Sequence, residues 1–282
     1  MSRVPHLISP EWLAEHLEDP DVVILEVAFH PPGSPASEPG RIPRSMAIWW
    51  KDLCWDETDR QFPDPATMAA RLEELGVSDD TTLVLAGDPV QFATYAYWVM
   101  TMTGLDGVAG VLDGGLPGWR LAGRPTVEES RPSPRRGKLS PGTEDQSPRV
   151  GRDVVLAGLD RPGRVLVDLR SGEEYRGERV APATAPYDHG AERKGRIPGA
   201  AHLPHDRLLD QAQRFRTPAE IEDELDRVGA DASADVVTYC RLSHRASLGW
   251  FAATRLAGRD NVRVYDGSWT EWGSIVGYPI ER

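Results

Sequence analysis

Short apolar runs alternate along the chain with segments whose apolar residues recur at helical spacing. The clearest runs are VVILEV at 22–27, TTLVLAG at 81–87, RVLVDL at 164–169 and ADVVTYC at 234–240. Each has the length and the β-branched composition of a buried strand. Strands that alternate with helices predict an α/β fold, in which a mainly parallel sheet carries helices on both faces. In such sheets, ligands bind at the carboxyl ends of the strands.

The helical pattern is clearest in TPAEIEDELDRVG at 217–229. Ile221, Leu225 and Val228 fall on one face of a helix, and Gly229 is a typical residue at a helix end. A second helical pattern, RASLGWFAATRLAG at 245–258, ends on a glycine in the same way. Both segments are therefore predicted to be helices that cover the sheet.

The two halves of the chain repeat one pattern. The matched pairs are GRIPRSM at 40–46 with GRIPGAA at 195–201, TTLVLAG at 81–87 with ADVVTYC at 234–240, and VLDGGLPGW at 111–119 with VYDGSWTEW at 264–272. The matched positions keep a nearly constant separation, and Cys240 stands opposite Gly87. The strand-like runs VVILEV at 22–27 and RVLVDL at 164–169 also correspond, but fewer residues separate them than separate the other matched pairs. The second copy therefore carries extra residues in the loop at 177–194. Repetition on this scale indicates duplication of a whole domain.

We expect one domain over residues 1–125 and a second over residues 150–282. The segment between them, 126–149, is rich in proline, serine and charged residues and has no apolar periodicity. Such a composition cannot contribute much to a core and predicts a linker.

Composition and charge narrow the range of partners. The chain of 282 residues is 40% hydrophobic, which is enough to form a core in each domain, and its formal net charge is −12. Phosphate backbones repel so acidic a protein, so we expect no nucleic-acid partner. The apolar stretch at 92–112 contains Asp106 and three glycines. It is interpreted as a core helix, a turn and a strand, and no membrane partner is expected.

The chain has two cysteines, Cys54 and Cys240. Two are too few for a disulfide scaffold, and reduced thiols are typical of a cytoplasmic protein. The first residues, MSRVPHLISPEWL, lack the apolar core of a signal peptide, so a cytoplasmic location is expected. Cys54, in KDLCWDET at 51–58, has no comparable cluster of arginines after a strand and is interpreted as structural or incidental.

Cys240 lies at the carboxyl end of a predicted strand, before a helix expected to begin near Ala246. Inward-pointing loop amides and the positive end of the helix dipole favour an anion at such a place. Arg241 and Arg245 add two permanent positive charges. Together these effects favour the thiolate, so the sulfur is predicted to be nucleophilic and to face an anionic substrate. The interpretation requires a sulfur that solvent can reach.

Several motifs resemble the rhodanese family of sulfurtransferases. In the second half they are CRLSHR at 240–245, GRIPGA at 195–200 and YDGSWTEW at 265–272; in the first half they are AYW at 96–98 and LDGG at 112–115. The resemblance spans nearly the whole chain and implies two tandem rhodanese-like domains, each a mainly parallel sheet with helices on both faces. It also implies a catalytically silent first domain, with Gly87 at the cysteine position, and an active second domain.

The loop is most similar to the thiosulfate sulfurtransferase type, which carries basic residues one and five positions after the cysteine. The resemblance implies that Cys240 is catalytic. It implies a substrate-binding set of Arg241, Leu242, Ser243, His244, Arg245 and, from the loop near EEYRGE, Arg176. Ser243 replaces the usual glycine and would be strained at a positive φ. From the residues alone, Ser243 could bind substrate or form the turn, and His244 could be a base or an exposed, uninvolved loop residue.

The mechanism that the resemblance implies has two steps and needs no metal or organic cofactor. The Cys240 thiolate takes the outer sulfur of a small anionic donor such as thiosulfate and becomes a persulfide. A thiophilic acceptor, either cyanide or a thiol, then removes that sulfur.

Three alternatives remain at this point. The donor could be 3-mercaptopyruvate, or the chain could be a sulfur-carrier or regulatory binding module without turnover. A cysteine phosphatase is the third alternative. Its loop generally has arginine six positions after the cysteine, where this chain has Ala246.

Overall fold

The computed structural model describes residues 4–34, 40–56, 58–128, 135–185, 187–188 and 190–282. The backbone divides into two units. The first comprises residues 1–146 together with 211–214, and the second comprises residues 147–210 and 215–282. Residues 135–146 of the predicted linker are thus part of the first unit, where Gly137 N donates to Glu73 O over 2.8 Å.

The first unit contains a five-stranded parallel sheet in the order β1-β5-β4-β2-β3. Its strands are β1 (Leu7–Ile8), β2 (Val22–Ala28), β3 (Met46–Trp49), β4 (Thr82–Asp88) and β5 (Ala109–Leu112). Its helices are α1 (Pro10–Glu15), α2 (Trp50–Cys54), α3 (Pro65–Glu74), α4 (Gln91–Met102) and α5 (Gly115–Leu121), with a 3₁₀ turn at Asp106–Val108.

The second unit contains a five-stranded parallel sheet in the corresponding order β6-β10-β9-β7-β8. Its strands are β6 (Arg149–Val150), β7 (Arg164–Asp168), β8 (Ala201–His202), β9 (Asp235–Tyr239) and β10 (Val262–Tyr265). Its helices are α6 (Arg152–Leu156), α7 (Gly172–Tyr175), α8 (Pro218–Arg227), α9 (His244–Phe251) and α10 (Ser268–Trp272). A 3₁₀ turn spans His205–Leu208, and a π-helical turn, Ala252–Leu256, extends α9.

The duplicated pattern appears as duplicated structure. β4 and β9 start at equivalent positions, as do α4 and α9 and also β5 and β10, each pair with the separation of Gly87 and Cys240. Consecutive residues of a strand point to opposite faces of its sheet. Leu83, Val84 and Leu85 of β4 are all fully buried, so both faces of the first sheet are covered. The predicted α/β fold with two tandem parallel-sheet domains is therefore confirmed.

Local signals in the sequence determine where the helices begin. α8 starts at Pro218, and the Thr217 side chain accepts a hydrogen bond from the Glu220 backbone in a capping box. This arrangement satisfies amides that the first helical turn leaves without partners. In the part of the chain that the structure describes, no helix combines the length and apolar character that crossing a bilayer requires.

Candidate active site

Cys240 immediately follows β9 at the carboxyl edge of the second sheet, and α9 begins four residues later at His244. The helix therefore starts two residues earlier than the expected Ala246. Two backbone contacts hold the cysteine against the start of α10. Cys240 N donates to Ser268 Oγ over 3.2 Å, and Trp269 N donates to Cys240 O over 2.9 Å. The cysteine is thus fixed at the point where ligands bind in parallel α/β sheets.

Cys240 is only 1% exposed. This burial contradicts the expectation of a sulfur that solvent can reach, so catalysis at Cys240 stays a prediction. Cys54 is also buried, but its surroundings differ. Burial dominates there and raises the pKa of the Cys54 thiol far above its ordinary value, with Arg71 opposing the shift only weakly. Cys54 is thus held as a neutral thiol, whereas two guanidinium groups interact electrostatically with Cys240.

Ser243 is the turn residue of the loop and adopts a positive φ of 71°. Its hydroxyl is buried and donates to the backbone carbonyl of Asp266, with a longer contact of 3.2 Å to Asp266 Oδ1. The serine thus occupies the left-handed conformation in which glycine is usual, and its hydroxyl bonds to the protein. Of the two roles left open for Ser243, the structure places it in the turn.

His244 is buried, with 8% of its surface exposed, at the first position of α9. The expectation that it is an exposed loop histidine is therefore wrong. The reason is that the loop turns at Ser243 and directs the chain into α9, whose next buried residues are Ala246 and Ser247. Leu242, between the turn and Arg241, is partly buried.

Arg245 forms a bidentate ion pair with Glu174 of α7. The two bonds measure 2.7 Å from Nη1 to Oε2 and 2.9 Å from Nη2 to Oε1. Burial opposes ionisation of both partners, but their mutual hydrogen bonds and charges outweigh it. They lower the pKa of Glu174 and raise the pKa of Arg245. The two groups are therefore both ionised, and Arg245 is committed to a protein partner.

Arg241 has no such partner. Its Nε is buried without a hydrogen bond, and no carboxylate pairs with its guanidinium in the described part of the chain. Partial burial, followed by the charge of Arg245, lowers the pKa of Arg241 from its ordinary value. The guanidinium lies against Gly190, where an added Cβ would come within 2.6 Å of Nε. Arg241 is thus a cation next to Cys240 in the chain, and no carboxylate of the described residues neutralises it.

Arg176, the remaining predicted substrate-binding residue, follows α7 and is exposed. Its Nε donates to Glu178 over 2.6 Å, and no described contact joins it to the Cys240 loop. The structure thus brings Arg241 and Arg245 to the cysteine but places Arg176 in a surface ion pair.

The sequence interpretation missed Glu174, Ser268 and Asp266, which position the loop. It also missed the pair formed by Asp168 and Arg170, which are both fully buried and 2.6 Å apart. The only signal for Glu174 was an acidic residue three positions after a helix-capping serine, Ser171. That pattern predicts a capping box but not an arginine partner from another element.

His205 was also missed. It begins the 3₁₀ turn after β8, and its backbone N donates to Leu169 O over 3.2 Å. Burial and then the charge of Arg245 lower the pKa of His205 to about 4. The imidazole is therefore neutral at neutral pH and adds no charge to the site. No group of three or more His, Cys, Asp or Glu side chains that could hold a metal occurs among the described residues.

Comparison with known proteins agrees with this geometry. The family model described as "Rhodanese-like domain" matches residues 9–122 and again residues 152–275. The chain therefore belongs to the rhodanese family and contains that domain twice. The protein is thus a rhodanese-family sulfurtransferase.

Two of the relatives illustrate a match over nearly the full length. "Sulfur carrier protein TtuD" of Thermus thermophilus is 38% identical over 98% of this chain and 96% of its own. A protein of Mycolicibacterium smegmatis named "Putative thiosulfate sulfurtransferase" is 35% identical over 100% of this chain and 99% of its own.

Solved structures share the architecture. The anaerobic ergothioneine biosynthesis enzyme from Chlorobium limicola, solved with trimethyl histidine, is 25% identical with a TM-score of 0.76, over 98% of this chain and 70% of that one. The 3-mercaptopyruvate sulfotransferase SseA of Escherichia coli has a TM-score of 0.73 at 24% identity, over 94% of this chain and 99% of that one, and shows the fold alone.

Proposed function

We propose that the protein transfers sulfane sulfur from thiosulfate to a thiophilic acceptor through a persulfide on Cys240. The observation that carries the proposal is the charge around the sulfur. Arg241 and Arg245 both interact electrostatically with Cys240, and Arg241 has no carboxylate partner among the described residues. Such surroundings favour a thiolate and attract a small anion.

The first step is a displacement at sulfur. The Cys240 thiolate attacks the outer sulfur of thiosulfate, a new S–S bond forms, and the original S–S bond breaks with its electron pair leaving on sulfite. In the second step the acceptor attacks the outer sulfur of the persulfide. Cyanide leaves as thiocyanate, and Cys240 is regenerated as a thiolate. No net oxidation of the protein occurs, and the kinetics are of the ping-pong type.

Each loop residue has a role in this proposal. Arg241 binds the donor anion and the departing sulfite. Arg245 and Ser243 hold the loop in shape, and Leu242 and His244 complete its wall. Arg176 would have to leave its Glu178 partner to contact a donor, so its contribution is expected to be smaller than that of Arg241.

Initial rates with thiosulfate and with 3-mercaptopyruvate, each with the same acceptor, test the proposal. We expect turnover with thiosulfate and a KM for thiosulfate that rises at least tenfold in Arg241→Gln, about 1.4 kcal/mol in binding. Arg176→Gln should change it less, and Arg161→Gln, an exposed control, should leave it unchanged. Faster turnover with 3-mercaptopyruvate would overturn the assignment of the donor.

A sulfur-carrier role is the second candidate. One observation favours it: the 38% identity to the protein named as a sulfur carrier. A Cys240 persulfide that forms from thiosulfate but resists both cyanide and small thiols would support this role and exclude rapid turnover.

A further inference from the structure

Glu174 is more firmly held than an ordinary ion-pair partner. Its side chain is 0% exposed, and that of Arg245 is 11% exposed. Besides Arg245, the Ser171 backbone N and hydroxyl both donate to Glu174 Oε2, over 3.1 and 3.0 Å. Three donors thus converge on one carboxylate oxygen while the other accepts from Arg245 alone. The carboxylate and the guanidinium are consequently fixed relative to each other.

The charges near the loop come from the loop itself and from the elements around it. They include Asp266, which follows β10, contacts Ser243 and pairs with Arg149 of β6 over 3.0 Å. Arg241 and Arg245 come from the loop and α9, and Glu174 comes from α7. Asp168, the last residue of β7, and Arg170, two residues later, neutralise each other in a buried pair. The neutral His205 comes from the 3₁₀ turn. Since Glu174 cancels Arg245, the group as a whole carries one net positive charge, and that charge is on Arg241.

We infer that Glu174 is the positioning residue that sets the charge of the Cys240 loop. It neutralises the charge of Arg245 and fixes its side chain in place. Arg241 is thereby left as the guanidinium that engages the donor anion. The inference deepens the proposed function and rests on it for the donor. It assigns different tasks to two arginines that look equivalent in the sequence.

A substitution that removes the charge of Glu174 but keeps its shape exposes this role. In Glu174→Gln, the amide oxygen still accepts a hydrogen bond from Arg245, but the guanidinium charge is no longer cancelled. The positive potential at Cys240 then rises, because the charge of Arg245, which interacts electrostatically with Cys240, is no longer neutralised. The thiolate should form at a pH roughly one unit lower than in the parent.

The test follows thiolate formation in a Cys54→Ser background, as the ultraviolet absorbance of the protein minus that of the matching Cys240→Ser protein at each pH. This readout needs neither a sulfur donor nor access of a reagent to the buried sulfur. We expect the titration midpoint to fall by about one pH unit in Glu174→Gln. It should stay at the parental value in Glu174→Asp, which keeps the charge. Glu222→Gln, on the exposed side of α8, is the matched control and should not shift it.

A double variant, Glu174→Gln with Arg245→Gln, keeps the pair neutral and able to hydrogen bond. Its midpoint should lie within about a third of a pH unit of the parent, since both charges are removed together. This variant decides the matter if Glu174→Gln alone does not fold. A parental midpoint in folded Glu174→Gln, or a shift of a full unit in the double variant, would overturn the inference.

Kinetics with thiosulfate add a second readout. The extra positive charge in Glu174→Gln should lower the KM for thiosulfate severalfold and make it more sensitive to salt, because the donor is a dianion. A purely structural role predicts a raised KM instead. Absence of thiosulfate turnover in the parent would overturn the proposed function, while the thiolate titration would still decide the role of Glu174.

Discussion

The loop after β4 in the first unit and the loop after β9 in the second have the same backbone spacing but carry different chemical groups. Gly87 and Cys240 occupy equivalent positions, and α4 and α9 each begin four residues later, at Gln91 and His244. In the second unit this loop carries a thiol and two guanidinium groups. In the first unit it carries neither. Duplication has therefore preserved the frame without preserving the site.

The first loop has no room for a side chain at the cysteine position. A Cβ added to Gly87 would lie 2.6 Å from Pro89 O, 2.7 Å from Ala93 N and 2.8 Å from Val90 O. Carbonyl oxygens thus approach the place where a nucleophile would stand, and they would repel an anion. The predicted silence of the first domain thus has a second physical reason, backbone packing, besides the missing sulfur.

Aromatic packing replaces the ion pair. Phe92 stands at the position equivalent to Arg245, and its ring lies 5.3 Å from that of Phe29 and 6.1 Å from that of Trp50. Trp50 begins α2 after β3, just as His205 begins the 3₁₀ turn after β8, so the two positions correspond. The first unit uses these positions for apolar contacts, whereas the second uses them for charge. Exchanging residues between the units is therefore a direct way to test what each one does.

The largest effect is expected from Arg245→Phe, which imports the residue of the first unit. It leaves the carboxylate of Glu174 buried without its cation and should lower the free energy of unfolding by about 3–5 kcal/mol. Urea unfolding at neutral pH measures the change. Arg216→Phe, which removes a partly exposed ion pair with Glu220, is the control and should have a much smaller effect. Equal losses in the two variants would contradict a special role for the buried pair.

The reverse exchange, Gly87→Cys, should fail to create a second site. The new side chain meets backbone atoms that cannot move independently, so a loss of roughly 2–3 kcal/mol in stability is expected. In a Cys240→Ser background, incubation with thiosulfate should add no sulfur. Sulfur uptake at position 87 would show that the thiol alone, without its cations, is sufficient.

The smallest of these effects depends on pH and concerns His205→Trp. Because the folded-state pKa of His205 is about 4, below its ordinary value of 6.5, this residue contributes stability that is present above pH 6.5 and is lost as the pH falls towards 4. The loss should reach on the order of 2 kcal/mol by pH 4.5. Tryptophan has no such titration, so unfolding measured at pH 7 and 4.5 should show a flatter dependence in the variant. Identical pH dependences would remove His205 from the account.

The sequence was sufficient to predict the architecture and the position of Cys240 at the carboxyl end of a strand. Strand-like runs such as 164–169 and 234–240 became β7 and β9, and the constant spacing of the two copies reappeared in their strands and helices. These features depend on local periodicity and on backbone topology, both of which are written along the chain.

The supporting interactions of the site could not be predicted in the same way. Glu174 and Arg245 are 71 residues apart, and Cys240 and Ser268 are 28 apart. The burial of Cys240 and His244 also depends on how α10 and its preceding turn pack over the loop. Arg241 and Arg245 suggested an open, charged loop, but the charge of Arg245 is neutralised by Glu174 from another element.

The central claim is that Cys240, and not Cys54, accepts sulfur from a small anionic donor. Intact-protein mass spectrometry after incubation with thiosulfate tests it most directly. We expect a gain of one sulfur atom on the parent protein and on Cys54→Ser, and no gain on Cys240→Ser. No gain on the parent, or a gain that persists in Cys240→Ser, would contradict it.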